Sequence, residues 1–92
     1  MYIDEQFLDR LEKQLGTHGT WPSVYMFKFI IPDNNRDYAL LQRLFGDESR
    51  LITRHSKGGK YISVTVKEMM ISPAEVIERY RKAAAIEGIM AL

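Results

Sequence analysis

Ninety-two residues, 46% hydrophobic and 27% charged, suffice for one folded domain with a single modest core, which argues against disorder. The chain has no cysteine, so disulfides, thiolate metal sites and thiol nucleophiles are excluded. Formal net charge is only +1, no apolar run reaches the ~18–20 residues of a membrane span, and the acidic start MYIDEQFLDR is no signal peptide, so the expected location is the cytoplasm.

Residues 3 to 15 place Ile3, Phe7, Leu8, Leu11 and Leu15 along one side at helical spacing, with Gly16 in GTHGT as the expected stop. Residues 1–21 thus read as a helix and linker leading into a domain over 22–92. Trp21-Pro22 opens a β-branched and aromatic run, VYMFKFII at 24–31, that reads as a strand. A second helix is predicted over 34–45, with Tyr38, Leu41, Leu44 and Phe45 inward and Gly46 as its stop. Strands follow at 50–57 and 60–67. Ser72-Pro73-Ala74-Glu75 has the capping serine, early proline and glutamate of a helix start. That helix should run to about Ala85 and bury Val76, Tyr80, Ala83 and Ala84, with IMAL supplying a last strand. After the leading helix the order is strand, helix, strand, strand, helix, strand. Two right-handed crossovers around a hairpin give the α+β, ferredoxin-like βαββαβ arrangement: a four-stranded antiparallel sheet with helices on one face.

Residues 55 to 66, HSKGGKYISVTV, lie inside the one positive segment of the chain: Arg50, Arg54, Lys57, Lys60 and Lys67 occur without an acid between Ser49 and Lys67. Read as a two-residue turn, Gly58-Gly59 pairs Lys57 with Lys60, Thr53 with Val64, and His55 with Ile62. Ile62, Val64 and Val66 then face the helices together with Thr53 and a half-buried His55. Arg54, Ser56, Tyr61, Ser63 and Thr65 line the open face beside Val24, Met26, Lys28 and Ile30. The rival, a phosphate-cradling loop, fails on spacing: Arg54 stands where the P-loop needs glycine, and Tyr61 where it needs serine or threonine. Lys57, Lys60 and the turn amides retain a weaker capacity for a small anion.

No nucleophile with a positioned base is legible, so no enzyme is expected. His55 and the loop residue His18 lack recognisable metal-ligand spacing, and neither metal nor cofactor is expected. Acidic residues of the first two helices fall at solvent positions. RNA-binding domains of this chain order stack bases on exposed strand aromatics, but the corresponding positions here carry Met26, Lys28, Ser63 and Thr65, with Tyr61 the single aromatic. Nucleic acid is therefore the least favoured partner.

SKGGKYISVTV, the capped start SPAEVIERY and the closing IMAL together resemble the YbeD-like family of small bacterial proteins of unknown function, over about residues 22–92. The Ser56-Lys57-Gly58 turn with Tyr61, Ser63 and Val64, and Lys28 in the first strand, carry the likeness. The resemblance implies a fold close to the effector-binding ACT domains, which pair through their sheets, and no catalytic residues. A lipoic-acid label attached to such proteins would give Lys28 or Arg54 a carboxylate to meet. The expected role is a regulatory or interaction module that self-associates or docks a protein through its open face or an edge strand. Lys28, Arg54, Lys57, Lys60, Tyr61 and Ser63 are its candidate binding residues. A small-anion sensor is the alternative.

Overall fold

A computed structural model describes residues 1–46 and 48–92. Its elements are α1 (Glu5–His18), β1 (Ser23–Pro32), α2 (Asn35–Phe45), β2 (Ile52–His55), β3 (Tyr61–Met70), α3 (Pro73–Ala83) and β4 (Met90–Ala91). The strands form one antiparallel sheet in the order β2-β3-β1-β4. This is the ferredoxin-like arrangement with an added leading helix. Among the described residues no helix is long and apolar enough to cross a membrane.

Alternation decides the layering. Phe27, Phe29 and Ile31 of β1 pair with Val66, Val64 and Ile62 of β3, and all six are buried beneath the helices. Leu41 and Phe45 of α2, and Val76, Ile77, Tyr80 and Ala83 of α3, close the core from above. Each helix starts on a side-chain cap: Asp4 accepts the Phe7 N–H at 2.8 Å, Asn34 the Asp37 N–H at 2.8 Å, and Ser72 the Glu75 N–H at 3.3 Å. The leading helix joins this layer rather than the open face. Leu8 is buried in the common core, Phe7 meets Tyr80 edge-on at 5.5 Å, and Glu5 bonds Arg81 at 2.6 Å.

Several boundaries differ from the sequence reading, each for a physical reason. Helix α1 runs through Gly16 to His18, so His18 is helical, and Gly19 is the C-cap. A Cβ at Gly16 would meet nothing within 4 Å, whereas one at Gly19 would lie 2.8 Å from the Trp21 indole nitrogen, which itself bonds the Leu15 carbonyl. Gly19 is therefore the glycine the corner needs. Strand β3 continues to Met70 because β1 pairs with it over ten residues, carrying Glu68 onto the helical side, where the Ser49 hydroxyl bonds it. Helix α3 stops at Ala83; Ala84 is exposed, and Ile77 and Ile86 are buried instead.

Two further expectations fail at the sheet edge and at α2. Thr53 and His55 keep their predicted partners, but both are exposed, since the helices do not reach over edge strand β2. His55 turns to Asp33, 2.9 Å away, instead of to the core. Asp37, expected in solvent, is buried at the first turn of α2, with one carboxylate oxygen held by the Asn34 side-chain amide at 2.9 Å. Helix α2 thus begins on a reciprocal Asn34–Asp37 box.

Candidate functional site

The glycine pair does not form a two-residue turn. Ser56 donates to the Tyr61 carbonyl at 2.9 Å, and Gly59 donates to the Ser56 carbonyl at 3.1 Å, so the loop is the four residues Lys57 to Lys60. Two- and four-residue loops centred on the same peptide bond give the same strand register. The predicted facing therefore survives the longer loop: Arg54 pairs with Ser63, Ile52 with Thr65 and Lys28 with Thr65 across the other side. Gly59, at φ +71°, supplies the left-handed residue the loop needs.

Among the described residues none covers the sheet face away from the helices, where Val24, Met26, Lys28, Ile52 and Met69 are exposed. Lys28, Arg54, Ser63 and Thr65 line one recess of about 310 Å³ on it, together with Ile52. Arg54, Ser63 and Tyr61 also border an adjoining hollow of about 340 Å³ walled by Ile30 and Met90. Four of the six candidate residues, Lys28, Arg54, Tyr61 and Ser63, are thus brought together. Lys57 and Lys60 are not; they stand on the exposed loop, outside both recesses.

Three contributors escaped the sequence reading. Lys67 lies opposite Met26, Met69 opposite Val24, and Ile52 beside Thr65. The signal was present for Lys67 and Met69, because alternation from Thr65 continues through them; Glu68 on the apolar side hid it. Val24, Met26, Ile52 and Met69 are 59%, 53%, 57% and 59% exposed, an unusual density of apolar side chains for a solvent face. The titratable side chains that β1, β2 and β3 turn to this face are Lys28, Arg54, Lys67 and Tyr61, with no acid among the described residues. Tyr61 is its exposed aromatic.

Fold and face together define a ferredoxin-like α+β domain with one open, cation-bearing sheet surface. The chain belongs to the family described as "Protein of unknown function (DUF493)", whose model matches residues 17–92. It is 33% identical over 73 residues to a UPF0250 protein of Shewanella halifaxensis, a match covering 75% of this chain and 83% of that relative. Both agree with the resemblance to small bacterial proteins of unknown function. No solved structure matches. The family match begins at Thr17, so most of α1 precedes it.

Proposed function

We propose that this protein is a non-enzymatic interaction module that docks a partner protein with an acidic surface on its open sheet face. One observation carries the reading: Val24, Met26, Ile52 and Met69 are exposed on the face that also presents Lys28, Arg54 and Lys67 without an acid among the described residues. Burying such apolar area contributes roughly 25 cal/mol per Å², while the cations choose and orient the partner. Charge also chooses between a partner and a second copy. Two such faces laid together would set one cation-bearing surface against another, whereas carboxylates on a partner would be drawn to Lys28, Arg54 and Lys67. The test is affinity capture from the bacterial host with wild type, Met26→Glu and Lys28→Glu, with Lys82→Glu on α3 as control. A discrete partner retained by wild type and control and lost by both face variants is expected. Capture unchanged by the face variants would overturn the reading.

A second reading has its own support, because two cations and two hydroxyls converge on the recess of Lys28, Arg54, Ser63 and Thr65. A small carboxylate or phosphate there would make the domain a ligand sensor. Thermal-shift screening of inorganic phosphate, amino acids and lipoate should then raise the melting temperature with at least one, and Arg54→Ala should abolish the rise. No shift with any of them ends this reading.

A further inference from the structure

The sheet has two outer edges, and they differ. Along β4, Ala91 donates to the Met1 carbonyl at 2.9 Å and accepts from the Met1 amino group at 3.1 Å, so residue 1 lies against that edge. Along β2, all four residues Ile52–His55 are exposed.

The direction of the β2 backbone groups follows from the pairing phase. Ser56 donates to the Tyr61 carbonyl, which makes those two a hydrogen-bonded pair. Antiparallel ladders alternate, so Arg54–Ser63 and Ile52–Thr65 are hydrogen-bonded pairs as well. Thr53 and His55, between them, aim their N–H and C=O groups away from β3. The other side of β3 gives the same phase independently. Asp33 donates to the Lys60 carbonyl at 2.9 Å, assigning the even residues of β3 to β1 and the odd ones to β2.

We infer that β2 accepts an extended acidic segment of the partner protein as a fifth strand, paired through the outward backbone groups of Thr53 and His55. This deepens the docking reading and rests on it. Main-chain bonds supply affinity in such additions, and neighbouring side chains supply selectivity. Ile52 and Arg54 flank the edge on the open face, and Thr53 and His55 on the other. His55 is already engaged by Asp33 at 2.9 Å, which leaves Arg54 as the charged side chain of the strand's open side with no ion pair among the described residues.

Charge names the occupant. Residues 49 to 67 contain five bases and no acid. A second copy laid antiparallel along β2 would juxtapose two of these basic segments, and like charges facing one another destabilise a strand pair. The cations that deter self-pairing therefore select a strand with aspartate or glutamate at alternate positions.

The isotope-labelled full chain, titrated with a peptide alternating glutamate and valine and then with its lysine counterpart, tests this. With the glutamate peptide alone, the amide signals of Thr53 and His55 should shift, their exchange with solvent should slow, and added salt should weaken binding. Thr53→Pro removes an outward N–H while sparing every bond to β3, and should weaken binding about tenfold. Arg54→Glu should transfer the preference to the lysine peptide, so the outcome does not hang on the proline variant's folding. Equal binding of both peptides, an unmoved Thr53 and His55 at millimolar peptide, or undiminished binding by a folded Thr53→Pro chain would overturn the inference. Thr53→Pro that still captures the partner Met26→Glu loses would overturn the edge alone and leave the face reading standing.

Discussion

Tyr80 shows how one side chain ties the layers together. Its ring lies 5.2 Å from Phe27, 5.6 Å from Phe29 and 5.5 Å from Phe7, so it joins α3 to β1 and to the leading helix. Its hydroxyl is 2.9 Å from that of Tyr25, which satisfies a polar group that burial would otherwise strand. Burial, and then the hydrogen bond to Tyr25, push the Tyr80 phenol far above the ordinary tyrosine range. The sign of the linkage is fixed by that direction. A group whose folded pKa is raised contributes stability fully present below its unfolded value, about 10 for tyrosine, and lost as pH rises beyond it. Tyr80→Phe keeps the ring contacts and removes the hydroxyl, so near neutral pH it should cost about 1 kcal/mol, the worth of one hydrogen bond. Above pH ~10 its stability should fall less steeply than that of wild type. Urea melts of both proteins across that range check the two statements together. Sequence reading found Tyr80 as a core residue through helical spacing, but not Tyr25 as its partner. Pairing at such a distance along the chain leaves no local pattern.

At the scale of elements, the hairpin shows what alternation can and cannot specify. The run from Tyr61 to Val66 tells which side chains share a face, and that much is legible in the sequence, which places Lys28, Arg54 and Ser63 together. Loop length was not legible, because a loop can lengthen symmetrically about the Gly58-Gly59 bond without changing a single strand pair. The two glycines consequently differ. Gly59 sits at φ +71°, where a side chain is strained, while Gly58 has no positive φ and a Cβ there would meet nothing within 4 Å. Gly59→Ala should therefore destabilise the fold by about 1–2 kcal/mol. Gly58→Ala should be neutral or stabilising by up to about 1 kcal/mol, since it restrains the unfolded chain without straining the folded one. Equal losses in thermal melts of the two variants would mean a two-residue turn after all. The stop of α1 at Gly19 rather than Gly16 has the same character: only the approach of Trp21 distinguishes the glycines, and that approach is tertiary.

For the whole molecule, the layer that α1 joins decides what the other face can do. Spacing identified α1 as a helix with Phe7 and Leu8 on its apolar side, yet the same stripe could have covered either sheet face. Contacts of Phe7 with Tyr80 and of Glu5 with Arg81 put it on the helical side and leave Lys28, Met26 and Arg54 uncovered. An apolar surface of this kind on a chain of net charge +1 would ordinarily invite self-association. Here the cations oppose it. Like charges about 4 Å apart cost about 1 kcal/mol each in water and more as water is excluded, and face-to-face pairing would bring Lys28, Arg54 and Lys67 of two copies together. The chain alone should therefore be monomeric by light scattering at physiological salt. A variant carrying Lys28→Glu, Arg54→Glu and Lys67→Glu keeps Val24, Met26, Ile52 and Met69 but reverses every charge that repels. Mixed with wild type it should form a one-to-one complex that weakens as sodium chloride is raised, because screening removes the attraction that supplements apolar burial. If wild type is already a dimer whose stability does not respond to salt, the apolar side chains outweigh the cations. The face would then serve a second copy of this chain in place of an acidic partner.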